Sequence, residues 1–183
     1  MPYKTLDYIA AKIVMRVGEG VEGQIEESYR LKACAKEPWT VAFIEAIPQG
    51  GWFIDVGANV GPYTLIGVAR GLQVFAIEPS PPHFSRLWEN LCLNAWADRA
   101  LIKCVACGPA SSWNWLHFSD TRPGAASHQF GGDLKVSHHK TMVPTETLDS
   151  LVGSLQGDLW LKIDVDGAEL AVLQGANELL VDQ

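Results

Sequence analysis

The sequence of 183 residues has no apolar run near the roughly 18–20 residues that a membrane-spanning helix needs. Its first twenty residues also lack the apolar centre and the cleavage site of a secretory signal peptide. We therefore expect a cytoplasmic protein that has no membrane partner.

Positive charge is scarce as well. The chain has 14 lysines and arginines against 21 aspartates and glutamates, which gives a formal net charge of −7. This charge disfavours non-specific binding to nucleic-acid phosphates, so no nucleic-acid partner is expected. Hydrophobic residues make up 48% and charged residues 19% of the chain, which is ordinary for a globular protein of one domain.

Cysteines are few, and two of the four, Cys104 and Cys107, form a single Cys-x-x-Cys pair. A zinc site usually needs a second pair, and none is present. The pair also lies on an apolar run that is predicted to be a strand, where alternate side chains point to opposite faces. We expect buried thiols here rather than a metal or redox site.

What the chain does contain is an alternation of short apolar runs with helical segments. Strands are predicted at 52–56, 72–77, 101–106 and 158–164, with helices at 62–70, 84–93 and 169–180. This order is typical of an α/β fold with a parallel sheet and right-handed crossovers. The N-terminal residues 1–36 are predicted to form a helical cap, and 37–183 the main domain.

Residues 111–145 are predicted to be an inserted β-hairpin. Its second strand contains Pro144, which favours an edge position because proline cannot donate a ladder hydrogen bond. Trp113 and Trp115 on the first strand could form a substrate-stacking surface, but a packed face of the hairpin is the favoured interpretation.

The first core strand runs into a glycine turn, in the stretch FIDVGANVGPYT at residues 53–64. Gly57 and Gly61 permit a tight turn and let a ligand approach the backbone, where N–H groups and a helix N-terminus would face it. A dinucleotide fingerprint would read Gly-x-Gly-x-x-Gly. Here Asp55 precedes the turn, and a carboxylate suits a cationic ligand better than a pyrophosphate.

Three core strands end on acids: Asp55, Glu78 and Asp164. The carboxyl ends of parallel strands meet at one edge of a sheet, so these acids should line one cleft. Glu78 ends the second strand, where a carboxylate commonly binds ribose hydroxyls. S-adenosylmethionine has a ribose and two positive groups and fits both requirements. A nicotinamide-dependent oxidoreductase is the less favoured alternative.

Four ordered segments carry a resemblance to a known family: FIDVGANVGPYT, AIEPSPPHFSRLWENLCLN, VPTETLDSL and LKIDVDGAELAVLQGA. Over residues 37–180 they resemble the FkbM family of S-adenosylmethionine-dependent methyltransferases. The resemblance implies the class I methyltransferase (Rossmann-like) fold, with helices on both faces of the sheet. It also implies O-methylation of a hydroxyl on a sugar, a polyketide or another small molecule.

The resemblance also implies roles for individual residues. Asn94 is expected to be structural. The cofactor S-adenosylmethionine is expected to contact residues of the glycine turn and of the strand ends, namely Asp55, Gly57, Ala58, Asn59, Gly61, Thr64, Glu78, Pro79, Ala106 and Asp164.

Two acids are candidates for catalysis. Asp164 is the first candidate to orient the acceptor or to take its proton, and Glu169 is the second. The alternative for Asp164 is a carboxylate that only caps the turn at Gly167. A divalent metal between Asp164 and Asp166 is not expected, because no further oxygen ligands lie at suitable spacing.

Members of the family carry further strands after the helix that follows the fourth core strand. The domain is therefore expected to be truncated there and C-terminally incomplete, which would leave an open sheet edge. An open strand edge favours pairing with another chain, such as a second copy of this protein in a homo-oligomer. A cofactor-binding remnant without catalytic activity is the alternative function.

Overall fold

The computed structural model describes residues 3–20, 24, 26–118, 121–125, 129–130 and 139–181. The N-terminal part contains strands β1 (Tyr3–Thr5) and β2 (Val14–Arg16), a π-helical turn (Glu26–Arg30), and helices α1 (Ala33–Lys36) and α2 (Pro38–Ala46). The central part continues with β3 (Trp52–Val56), α3 (Pro62–Ala69), β4 (Gln73–Ile77), α4 (Pro81–Leu93) and β5 (Ala100–Lys103). Prolines occupy the first turns of α2, α3 and α4, where a missing N–H costs no hydrogen bond.

The C-terminal part adds a second set of strands and three helices. The strands are β6 (Ala106–Cys107), β7 (Ser112–Phe118), β8 (Gln129–Phe130), β9 (His139–Glu146) and β10 (Leu159–Ile163). The helices are α5 (Leu148–Val152), α6 (Glu169–Gln174) and α7 (Asn177–Val181). No helix in the described part of the chain is long and apolar enough to cross a membrane.

The predicted parallel sheet is confirmed, with the strand order β10-β3-β4-β5. Its strands are apolar on both faces, and the side chains alternate between two hydrophobic clusters. Phe53 and Val74 pack with α2, α3 and α4 on one face, whereas Ile54 and Phe75 pack with α5 and α6 on the other. Helices therefore cover both faces of the sheet, as a doubly wound α/β fold requires.

The inserted hairpin is also confirmed, because β7 and β9 pair in antiparallel register. The prediction that the Pro144 strand is an edge was wrong, since β9 lies between β7 and β6. Proline is tolerated there because β6 pairs only with Thr145 and Glu146, beyond Pro144. Trp113 and Trp115 are 65% and 42% exposed, so they do not form the packed face that the sequence favoured.

The prediction of a helical cap over residues 1–36 was wrong for its first half, where β1 and β2 form an antiparallel ribbon. The physical reason is a spacing of two between buried side chains, which is the period of a strand and not of a helix. These side chains enter the same cluster as α3 and α4, and they belong to Leu6, Tyr8, Ile13, Met15 and Val17.

Two asparagines attach this ribbon to the sheet layer, Asn90 on α4 and Asn94 at the C-terminal cap of the same helix. Asn94 accepts the N–H of Val14 at 2.9 Å and donates to the carbonyl of Val14 at 2.7 Å, as a neighbouring strand would. Asn90 accepts the N–H of Arg16 at 2.8 Å and donates to the carbonyl of Val60 at 2.8 Å. The structural role expected for Asn94 is thus visible in its contacts.

Replacing Asn94 by alanine should destabilise the fold, because the backbone N–H and carbonyl of Val14 would lose their partners. We expect a loss of about 1–3 kcal/mol in the free energy of unfolding, measured by chemical denaturation. The exposed Cys92 lies in the last turn of α4, just before Asn94. Cys92→Ala is the matched control and should change the stability little. Equal stability of Asn94→Ala and the control would contradict this role.

Candidate functional site

A cleft of about 460 Å³ lies at the carboxyl ends of β3, β4 and β10. Six of the residues that the sequence assigned to a site line it: Gly57, Asn59, Glu78, Pro79, Ala106 and Asp164. Asp55, Ala58, Gly61, Thr64 and Glu169 do not belong to its lining. The prediction that the three strand-end acids line one cleft therefore holds for Glu78 and Asp164 but not for Asp55.

The turn after β3 is tight because β10 lies against it. Gly57 has a φ of +82°, and a Cβ at this position would overlap the carbonyl oxygen of Asp164. Gly61 has a φ of +89°, and a Cβ there would overlap the side chain of Leu87 on α4. The two glycines thus admit neighbouring parts of the protein itself, whereas the sequence suggested that they admit a ligand.

All five N–H groups of residues 57–61 donate hydrogen bonds within the protein. Those of Gly57 and Ala58 both reach the carbonyl of Ile77, at 2.9 and 3.0 Å, and that of Gly61 reaches Ala58. The N–H of Asn59 donates to the carboxylate of Glu78, and the N–H of Val60 donates to the side-chain oxygen of Asn59. Each of these groups has a protein partner in this structure, so the expectation that they bind a ligand stays a prediction that this geometry does not support.

Asn59 adopts a φ of +54°, the left-handed region in which asparagine is among the better-tolerated residues. Its side-chain oxygen accepts the N–H of Val60 at 2.9 Å, which stabilises this local conformation. Its side-chain nitrogen donates to the carbonyl of Ala125 at 2.8 Å. Asn59 therefore connects the turn after β3 with residues of the insert between β7 and β9.

Asp55 is fully buried beneath the cleft and makes two strong contacts. The hydroxyl of Thr64 donates to it at 2.7 Å, and the ammonium of Lys162 on β10 donates at 2.9 Å. Lys162 is the cross-strand neighbour of Asp55 in the sheet register. Asp55 and Lys162 therefore form a charge-assisted hydrogen bond between two neighbouring strands. Asp55 lies outside the lining of the cleft.

Lys162 does not belong to the lining of the cleft, but its ammonium lies 3.8 Å from the carboxylate of Asp164, which does. Burial lowers the pKa of Lys162, but the charges of Asp55 and Asp164 outweigh this effect and leave the pKa above its ordinary value. Lys162 is therefore a cation at neutral pH. It joins the buried carboxylate of Asp55 to the exposed one of Asp164.

Glu78 is nearly buried, with the residue only 4% exposed, and it lines the cleft. One oxygen accepts the N–H of Asn59 at 2.8 Å and the other accepts the N–H of Ser80 at 2.9 Å. His83 on α4 places its Nδ1 atom 3.6 Å from the same carboxylate. Each oxygen of a carboxylate can accept two hydrogen bonds, so Glu78 keeps acceptor capacity toward the cleft.

The two candidate catalytic acids, Asp164 and Glu169, both follow β10 but have different surroundings. The side chain of Asp164 is 56% exposed and lines the cleft. Glu169 accepts the N–H of Gly167 at 3.1 Å, and bonds from its own N–H and that of Gly167 hold the pKa of Glu169 below its ordinary value. The capping of this turn, which the sequence left open for Asp164, is thus performed by Glu169.

Some lining residues were not identified from the sequence. Arg30, Lys36 and Glu37 come from the N-terminal segment, and His83 comes from α4. The sequence could have indicated His83, because this residue lies in a family motif just after Glu78. Nothing in the sequence near Arg30 indicates a place in the cleft. Cys107 also lines the cleft, and burial raises its pKa to about 12, so its thiol stays protonated.

No group of three or more His, Cys, Asp and Glu side chains that could hold a metal ion occurs among the residues the structure describes.

The sheet order, the glycine turn after β3 and the acid at the end of β4 define a class I, Rossmann-like methyltransferase fold. The family model for the methyltransferase FkbM domain matches residues 55–183. The chain belongs to this family, as the four sequence segments indicated.

Two curated relatives are methyltransferases. Hexuronic acid methyltransferase AglP of Haloferax volcanii is 32% identical over 162 residues, covering 85% of this chain and 63% of that protein. Methyltransferase sdnD of Sordaria araneosa is 28% identical over 174 residues, covering 74% of this chain and 64% of that protein. The chain thus spans less than two thirds of the length of these relatives.

Among solved structures, a SAM-dependent methyltransferase from Agrobacterium tumefaciens is similar over 57% of this chain and 32% of that chain. The TM-score is 0.43 and the sequence identity is 13%.

A methyl group on Gly57 should force the ends of β3 and β10 apart. Gly50 provides a matched control, because its φ of +80° is nearly the same and no atom lies within 4 Å of a Cβ there. We expect Gly50→Ala to cost about 1–2 kcal/mol of unfolding free energy through φ strain alone. Gly57→Ala should cost at least about 2 kcal/mol more through the clash. Equal melting curves for the two variants would show that the approach of Asp164 is not tight.

Proposed function

We propose that this chain binds S-adenosylmethionine and transfers its methyl group to a hydroxyl oxygen of a small molecule or sugar. The observation that carries the proposal is the carboxylate of Glu78, which two backbone N–H groups orient at the end of β4. A carboxylate held in this way can accept hydrogen bonds from the two ribose hydroxyls of the cofactor.

The rest of the cleft also suits this cofactor. Ile77, Val105 and Ala106 give an apolar wall that a purine could contact. Among the residues that the structure describes, four acids line the cleft, Glu37, Glu78, Asp164 and Asp166, against the two cations Arg30 and Lys36. An excess of carboxylates favours a ligand with positive groups. S-adenosylmethionine supplies a methyl group on a positively charged sulfur, which is a good leaving group.

Because the leaving group is already activated, the protein has to align the acceptor and assist the loss of its proton. Asp164 is the acid we assign to this task, since its carboxylate is exposed to the cleft. Lys162 is itself held by its bond to Asp55, and its ammonium lies 3.8 Å from the Asp164 carboxylate, where it helps to orient this acid. Glu169 is a poorer candidate, because its carboxylate caps the turn at Gly167.

A sugar acid is a reasonable first acceptor to test. The relative from Haloferax volcanii is named for a hexuronic acid, and Arg30 and Lys36 in the cleft could contact a sugar carboxylate. The methyl acceptor would be a ring hydroxyl, which fits the O-methylation that the family resemblance implies. The alternative, a cofactor-binding remnant without activity, predicts binding of the cofactor but no transfer.

Glu78→Gln should weaken the binding of S-adenosylmethionine by at least about tenfold, or about 1.4 kcal/mol. The amide keeps the size of the side chain but puts an NH₂ group where one backbone N–H or a ribose hydroxyl would donate. Isothermal titration calorimetry measures the change, and Glu45→Gln, an exposed site on α2, is the control.

Equal affinity of Glu78→Gln and the wild type would contradict the proposed role of Glu78. A parallel titration with NADH tests the oxidoreductase alternative, which requires a change in the fluorescence of NADH. We expect none.

Asp164→Asn should lower kcat by about 10²–10⁴-fold and leave the affinity for the cofactor within a few fold, because proton removal contributes about that much. The release of S-adenosylhomocysteine with uronic acid glycosides as acceptors measures this change. Asp158→Asn, at the exposed opposite end of β10, is the matched control and should keep the wild-type rate. A normal kcat in Asp164→Asn, together with a large loss in Glu169→Gln, would assign the proton transfer to Glu169.

A further inference from the structure

The insert between β7 and β9 contributes one well-formed turn to the cleft, at residues 122–125, which we call the Pro123 turn. The N–H of Ala125 donates to the carbonyl of Arg122 at 3.1 Å, and Gly124 has a φ of +82°. Proline followed by glycine at the centre of such a turn is the pattern of type II, so the sequence favours this local shape. Gly124 and Ala125 line the cleft.

Three side chains from different parts of the fold hold the carbonyl groups of the Pro123 turn. His83 on α4 donates from Nε2 to Arg122 at 3.1 Å. Asn59 of the turn after β3 donates to Ala125 at 2.8 Å. Arg30 of the π-helical turn donates from Nε to Gly124 at 2.9 Å and from Nη2 to Ala125 at 3.3 Å.

Of these three side chains Arg30 carries a fixed positive charge, and it bonds two successive carbonyls. A guanidinium presents its N–H groups in a rigid fork, whereas a lysine ammonium acts as a point charge. Burial lowers the pKa of Arg30, while the charges of Asp164 and Asp166 oppose this effect. A partly desolvated cation makes stronger hydrogen bonds to carbonyl groups than an exposed one.

The Pro123 turn is also coupled to the carboxylate that we assign to the ribose. The backbone N–H of Asn59 donates to Glu78, while its side chain donates to Ala125. His83 lies 3.6 Å from Glu78 and also bonds the turn. A displacement of the turn would therefore remove a contact from two of the residues that surround Glu78.

We propose that Arg30 is a positioning residue that fixes the Pro123 turn over the cleft and thereby slows the release of the cofactor. Arg30 acts through the turn and through Asn59, and it needs no contact with the cofactor itself. The part of this inference that concerns release rests on the function proposed above, whereas the part that concerns the turn does not.

The first test uses the whole chain without cofactor and measures hydrogen exchange at the amide of Ala125. We expect Arg30→Gln to exchange at least about tenfold faster than the wild type, because the turn loses the two bonds from the guanidinium. Arg30→Lys keeps the charge but not the fork, and should behave like Arg30→Gln. Arg16→Gln is the control, since Arg16 bonds Glu89 at the surface, and it should exchange like the wild type.

Asn59→Gly is a second variant in case Arg30→Gln does not fold. Glycine accepts the φ of +54° without strain and removes the side-chain bonds of Asn59 to the carbonyl of Ala125 and to the N–H of Val60. It should also speed exchange at Ala125. Wild-type exchange in Arg30→Gln and Asn59→Gly would overturn the positioning role. Wild-type exchange in Arg30→Lys alone would show that charge, and not the fork, holds the turn.

The second test measures the dissociation rate of S-adenosylmethionine by stopped-flow competition. We expect a rate about fivefold or more above that of the wild type in Arg30→Gln and Arg30→Lys, and an unchanged rate in Arg16→Gln. An unchanged rate together with faster exchange would overturn the role in release. Absence of binding by the wild type would refute the proposed function and the role in release, while the exchange experiment would still decide whether Arg30 positions the turn.

Discussion

The site depends on the close contact between the ends of two neighbouring strands, β3 and β10. The turn after β3 touches the carbonyl of Asp164 so closely that only glycine fits at position 57. Just below, Asp55 and Lys162 form a bond of 2.9 Å across the same two strands. Separating a buried ion pair would leave two uncompensated charges, which is costly, so this contact fixes the register of the strand ends. The cleft keeps its shape because the ends of β3 and β10 beneath it cannot shift relative to each other.

This arrangement changes the physical role of the glycine motif. All the N–H groups of residues 57–61 bond within the protein, so the motif shapes the turn and orients Glu78 rather than offering backbone donors to a ligand. Recognition is left to side chains and to the apolar wall. A cleft whose described lining has more acids than cations suits a ligand that carries positive groups and hydroxyls. The methyl donor we propose has both.

The sequence was sufficient for the parts of the molecule that depend on local pattern. Apolar strands, glycine turns and proline-started helices recur along the chain, and the topology of parallel strands brings Glu78 and Asp164 to one edge. The bond between Asp55 and Lys162 could not be found in this way, because it depends on which strands become neighbours across more than a hundred residues. A lysine within the apolar run Leu159–Ile163 was the one hint of a buried partner. Arg30 gave no hint, since its partners are backbone carbonyls of a distant turn.

The most direct test of the account is a crystal structure of the protein grown with S-adenosylhomocysteine, the product of the methyl donor. The account predicts the adenosyl group in the cleft between β3, β4 and β10, with its ribose hydroxyls within hydrogen-bond distance of the Glu78 carboxylate. An empty cleft at saturating ligand, or an adenosyl group bound elsewhere with Glu78 untouched, would contradict it.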